Sequence, residues 1–104
     1  MSLSEMTFFE RFEADILSGK KTITIRDEAE KDYQTNSIVQ VSTHEDGRWF
    51  CALKIISVCP IHFDQLSDFH AHQENMTLAE LKSVIRDIYG NNNNLFVISY
   101  SLVK

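Results

Sequence analysis

The sequence has 104 residues, 43% of them apolar and 24% charged, with 10 lysines and arginines against 15 aspartates and glutamates. A single domain's worth of chain with a formal net charge of −5 speaks against a protein that grips a nucleic-acid backbone, which rests on neutralising many phosphates, although a small local contact stays open. No apolar run approaches the roughly 20 residues of a membrane helix, "MSLSEMTFF" lacks the basic start and apolar stretch of a signal peptide, and Cys51 and Cys59, with no CxxC spacing, read as reduced and buried in a cytoplasmic protein.

In chain order, Thr7 followed by Glu10 has the spacing of a capping box. Phe8, Phe9, Phe12, Ile16 and Leu17 then recur at helical spacing, and Gly19 stands where a helix end favours positive φ, which predicts a helix over 8–18. A strand is predicted over 21–26 and a polar loop over 27–37. "IVQVST" and "RWFCALKIISV" flank "HEDG" and read as a hairpin. Asp64 is placed to cap a short helix over 65–72. Thr77 and Glu80 form a second capping box, followed by Leu78, Leu81, Val84, Ile85 and Ile88 on one face of a helix ending near Gly90. "NNNN" is a loop, and "LFVISYSLV" is a last strand. With no repeat and no linker, the expected fold is α+β, one domain over 1–104, built as a small, partly closed β-barrel with flanking helices.

The stretch "GKKTITIRD", 19–27, raises the sharpest chemical question. A threonine hydroxyl serves as a nucleophile when a base removes its proton, and a lysine is that base when burial lowers its pKa. An arginine stays charged and holds an oxyanion or a carbonyl. Strict alternation puts Thr24 and Arg26 on one strand face and Lys21 on the other, so Lys21 must belong to the turn after Gly19 and reach over the strand. Spacing alone favours the plainer reading, a solvated strand face, since threonine suits strands and basic residues suit the surface.

Other groups invite weaker readings. His70, His72 and Glu74 in "HAHQE", with His62, suggest a metal site, but i and i+2 diverge on a helix and no ligand set is complete. Tyr33, Trp49 and Phe50 have the chemistry to stack on a base, but such residues more often fill core or rim positions. Glu74 falls on a connector between two predicted helices, where carboxylates are usually solvated and sometimes catalytic.

"GKKTITIR" resembles the ASCH-domain motif of glycine, any residue, lysine, two residues, a variable polar residue, any residue, arginine, which places Gly19, Lys21, Thr24 and Arg26 on it. Threonine at the variable position, with "TFFERFEADIL" before it and "HQENMTLAELK" after it, is similar to one ASCH subgroup over essentially the whole chain: the small bacterial N(4)-acetylcytidine amidohydrolases. The resemblance implies a β-barrel related to the PUA domain. It implies hydrolysis of the acetyl amide on the exocyclic nitrogen of acetylated cytidine, without a metal or other cofactor. It places the catalytic lysine, threonine and glutamate on Lys21, Thr24 and Glu74, and the motif arginine on Arg26 as a substrate-binding or oxyanion group. An acyl-enzyme on Thr24 and direct attack by water both fit these residues. The implied partner is a small nucleoside, with no membrane. A non-catalytic PUA-like RNA-binding module and a modified-nucleoside sensor using the same pocket are the alternatives.

Overall fold

Alternating burial builds most of the sheet. The structure, a computed structural model, describes residues 3–103. In β1 (Glu5–Phe8) Met6 and Phe8 turn inward, and in β3 (Ile38–Thr43) Val39, Val41 and Thr43 do the same. Cys51, Leu53 and Ile55 supply the inner face of the long β4 (Trp49–His62), and Leu95, Ile98 and Tyr100 are the buried residues of β5 (Asn94–Leu102). The short β2 (Ile23–Arg26) is buried at every position. These five strands form one mixed sheet in the order β1-β3-β4-β5-β2, antiparallel except where β1 runs parallel to β3.

In place of the expected partly closed barrel the sheet is open: β1 and β2 are the ends of the strand order, and no ladder closes it among the described residues. Register shifts between Val41 and Ser42 and between Ile55 and Ser57 mark bulges, which increase local twist. The two ends are joined instead by a side chain, with Arg26 Nη2 of β2 donating to the Thr7 carbonyl oxygen of β1 at 2.8 Å.

The N-terminal segment departs most from the sequence reading. Thr7 lies in β1 and caps nothing; the predicted helix over 8–18 is a 3₁₀ turn (Glu10–Phe12) followed by α1 (Glu13–Leu17). Parallel pairing with β3 claims the backbone through Phe8, and the Glu10 amide donates to the Glu45 carboxylate of the hairpin turn rather than to a local cap. The predicted loop over 27–37 contains a 3₁₀ turn (Glu28–Glu30), whose Ala29 amide donates to Asp27 Oδ1 at 3.1 Å. The hairpin of β3 and β4 forms as expected, but β4 runs four residues past the predicted Val58 end, to His62, and leaves Cys59 exposed rather than buried. Cys51 is buried, and burial pushes its thiol up to about 11.

Asp64 does not cap the next helix. His62 caps a 3₁₀ turn (Phe63–Gln65), and Ser67 with His70 caps α2 (Asp68–Gln73). The Thr77–Glu80 capping box is present, with the Glu80 amide donating to Thr77 Oγ1 at 3.1 Å, and α3 (Leu78–Tyr89) ends at Gly90 with φ 61°.

Two apolar clusters result. One joins Met6, Phe8, Val41, Leu53, Ile98 and Tyr100; the other joins Ile23 and Ile25 of β2 to Ala71 of α2 and Leu81 and Ile85 of α3. β2 is therefore buried on both faces: its isoleucines meet the helices, and Thr24 and Arg26 turn the opposite way. Among the described residues, no helix is long and apolar enough to cross a membrane.

Candidate active site

The turn after α1 decides where Lys21 goes. Gly19 takes φ 80°, and the amides of Lys20 and Lys21 both donate to the Asp15 carbonyl oxygen at 3.0 Å. Lys21 is thus delivered just ahead of β2, outside its alternation. The Tyr100 hydroxyl fixes the Lys21 carbonyl at 3.1 Å. Its side chain folds back over the strand, where Nζ donates to the Ile23 carbonyl oxygen at 2.8 Å and pairs with Glu74 Oε1.

Glu74 arrives from the other side of the chain as the C-cap of α2. Asn75 follows in the left-handed region at φ 58°, and its side-chain amide donates to Asp15 Oδ1 at 3.0 Å. The Thr22 amide donates to the Gln73 carbonyl at 2.8 Å. The segments carrying Lys21 and Glu74 are therefore fastened together by bonds that do not involve either functional group. Lys21 is only 3% exposed and Glu74 5%.

Burial lowers the Lys21 pKa from its ordinary 10.5; Glu74 opposes that shift by charge and hydrogen bonding, Arg26 reinforces it by like charge, and Asp15 opposes it more weakly. The ammonium also lies 5.5 Å from the Phe8 ring centre and 5.3 Å from that of Phe12. Aromatic faces offer a buried cation partial compensation for lost water.

The second pair is Thr24 with Arg26. Arg26 Nε donates to Thr24 Oγ1 at 2.9 Å, Nη1 donates to Glu30 Oε2 at 2.8 Å, and Nη2 holds Thr7. The guanidinium carbon lies 4.9 Å from the Phe8 ring centre. Since Thr24 Oγ1 accepts from a cation, its own proton is left to point elsewhere, and negative charge developing on that oxygen would be met by a fixed positive group. Lys21, Thr24, Arg26 and Glu74 all line one pocket of about 190 Å³, bounded by phenylalanines of the N-terminal segment and the apolar face of α3. Among the described residues no hydrogen bond joins Lys21 to Thr24.

The other candidates are placed elsewhere. His62 and His70 act as caps and His72 is exposed; among the described residues no group of three potential ligands comes together to hold a metal ion. Tyr33 is buried, donating to the Glu5 carbonyl at 2.8 Å; Trp49 is exposed and bonded to Gln40; Phe50 packs against the core. None of the three lines the pocket. The sequence reading missed Glu30 and Tyr89, which do line it, and missed that Phe8 and Phe12 serve the site. Asp27 directly after the strand was the available signal, because an Asp there starts a turn that carries Glu30 back toward Arg26.

The ASCH domain family model matches residues 4–95. An N(4)-acetylcytidine amidohydrolase of Vibrio atlanticus is 68% identical over 98 residues, covering 94% of each chain. Another protein of that name, from Pasteurella multocida, is 52% identical and covers 99% of each chain. Among solved structures, the ASCH domain of Lactobacillus crispatus superposes with a TM-score of 0.78 at 18% identity, over 97% of this chain and 80% of that one. The Zymomonas mobilis ASCH protein gives 0.72 at 10% identity, over 96% and 69%. With that model matching residues 4–95 and relatives at 52–68% identity spanning nearly the whole chain, the chain belongs to the ASCH domain family.

Proposed function

We propose that the protein hydrolyses the acetyl amide of N(4)-acetylcytidine, releasing cytidine and acetate, with Lys21, Thr24 and Glu74 as the catalytic set and Arg26 supporting the developing charge. The observation that carries this reading is a buried lysine of lowered pKa paired with a buried glutamate, in one pocket with a threonine hydroxyl already hydrogen-bonded to a guanidinium. Relatives at 52–68% identity carrying the amidohydrolase name support the choice of substrate.

A charged Lys21–Glu74 pair and its neutral counterpart contain the same number of protons, so passing one from Lys21 to Glu74 arms both groups without help from solvent. Neutral Lys21 takes the Thr24 proton as Oγ1 bonds to the acetyl carbon. Arg26 stabilises the charge that develops on Oγ1 and on the acetyl oxygen beside it. Glu74 then gives its proton to the cytidine nitrogen as the carbon–nitrogen bond breaks, leaving an acetyl ester on Thr24 and an ammonium–carboxylate pair. Water attacks the ester, its proton passes to Glu74, and Lys21 returns a proton to Thr24 Oγ1 as acetic acid leaves and ionises. The pair ends neutral, and return of the Glu74 proton to Lys21 restores the resting ion pair.

The deciding experiment incubates the purified protein with N(4)-acetylcytidine and follows the appearance of cytidine, with mass spectrometry of the quenched protein for an acetyl adduct on Thr24. Binding without cytidine formation would leave the sensor reading standing. A steeply salt-dependent preference for RNA would favour the binding module.

A further inference from the structure

Arg26 is a long side chain with four rotatable bonds, yet its Nε must point at one oxygen. Two of its contacts come from the sheet itself: Thr24 is two residues back on the same strand, and the Thr7 carbonyl belongs to the opposite edge. The third comes from outside the sheet. Glu30 Oε2 accepts from Arg26 Nη1 at 2.8 Å, and Glu30 Oε1 accepts from the Tyr89 hydroxyl at 3.3 Å. Glu30 is set in place by the Asp27-capped turn that follows β2, and Tyr89 is the last residue of α3.

Glu30 is not an ordinary surface partner. Its side chain is 43% exposed, but the arginine side chain it holds is only 10% exposed, and both line the pocket. Exposed ion pairs contribute little; here one carboxylate fixes the rotation of a guanidinium whose far edge meets the nucleophile. It also supplies charge balance. Lys21 and Arg26 bring two cations to the pocket wall, and Glu74 is committed to Lys21.

We infer that Glu30, steadied by Tyr89, is a positioning residue that aims Arg26 Nε at Thr24 Oγ1. It touches neither substrate nor the reacting atoms. The kinetic part of this inference rests on the amidohydrolase reading; the geometric part does not. Without Glu30 the Arg26 fork loses one of its three fixed contacts, keeps only those to Thr24 and Thr7, and Nε shifts relative to Thr24.

Two readouts test it. In protein carrying ¹⁵N-arginine, the Nε–H resonance of Arg26, assigned by its shift in Thr24→Ala, moves in Glu30→Ala and stays near its wild-type position in Glu30→Gln, which keeps an acceptor. Turnover of N(4)-acetylcytidine falls roughly 10- to 100-fold in kcat with little change in KM for Glu30→Ala, by analogy with the loss of a charge-assisted hydrogen bond and of alignment. Glu30→Gln recovers most of it, and Tyr89→Phe loses only about 2- to 5-fold, the worth of one hydrogen bond to an anchor that stays in place. An unmoved Nε–H in Glu30→Ala overturns the inference, as does a raised KM at unchanged kcat, which would make Glu30 a substrate contact. If wild-type protein shows no turnover yet Nε–H responds to Glu30→Ala, the amidohydrolase reading fails and the positioning role stands.

Discussion

Lys21 and Glu74, separated by 53 positions in the chain, meet as a buried ion pair between the turn after α1 and the C-cap of α2. Removing one member of a buried pair strands the other charge, at a cost of about 3–5 kcal/mol, whereas replacing both by apolar groups of similar volume is often neutral. Lys21→Met should therefore be more destabilised in urea than Lys21→Met/Glu74→Leu, and on the proposed mechanism both should be inactive. A double variant no more stable than the single one would show that the pair, not its burial, holds this corner together.

The pH dependence follows from the same lysine. Its folded pKa lies below 10.5, so between those two values the unfolded chain binds more protons than the folded one. The contribution of Lys21 to stability thus rises with pH across that window, is complete above 10.5, and is lost as pH falls through the folded value. Urea melts of wild type and Lys21→Met over a pH series should show their difference moving in favour of wild type toward alkaline pH. A difference that is flat with pH would contradict the lowered pKa.

Thr24→Ala removes the hydroxyl that receives Arg26 Nε and should cost about 1 kcal/mol of stability. Turnover should vanish to background, while Thr24→Ser, which keeps the hydroxyl, retains measurable activity. Near-normal rates in folded Thr24→Ala would remove the nucleophile from the mechanism.

Glu74→Gln preserves shape and a partner for Lys21 but has no proton to give. General acids of this kind contribute roughly 10²- to 10⁴-fold, so kcat should fall in that range with a small change in KM. Substrates whose departing nitrogen is a better anion should lose less. Equal losses for all of them would make Glu74 a positioning group for Lys21.

If Lys21 supplies the base, as proposed, no bound ion is needed and dialysis against a strong chelator should leave the rate unchanged. Activity lost on chelation and restored by zinc would bring His62, His70 and His72 back into consideration.

The sequence announced some of this architecture and concealed the rest for identifiable reasons. The hairpin of β3 and β4, the capping box of α3 and the strand of Ile23 and Ile25 rest on local periodicity, which a single sequence displays. β1 was invisible because the same Phe8, Phe9 and Phe12 fit a helical spacing, and only the distant β3 decides between a strand and a helix there. The open sheet order is likewise a matter of long-range pairing. For the site, alternation correctly set Lys21 apart from Thr24 and Arg26, and the structure gathers the four residues the resemblance singled out in one pocket. Glu30 and Tyr89 stayed hidden because their contact spans 59 positions and depends on where α3 ends.

The single hydrogen bond from Arg26 to Thr7 has a kinetic consequence. Contacts of the β3–β4 hairpin are local and form early, whereas Thr7 and Arg26 lie on the two outermost strands and meet only when every intervening ladder is in register. Arg26, the partner of Thr24 Oγ1, is then among the last groups to settle on refolding. In a stopped-flow refolding experiment, recovery of catalytic competence should trail recovery of far-ultraviolet circular dichroism; a short chain of this design is folded, by most optical measures, before it is an enzyme.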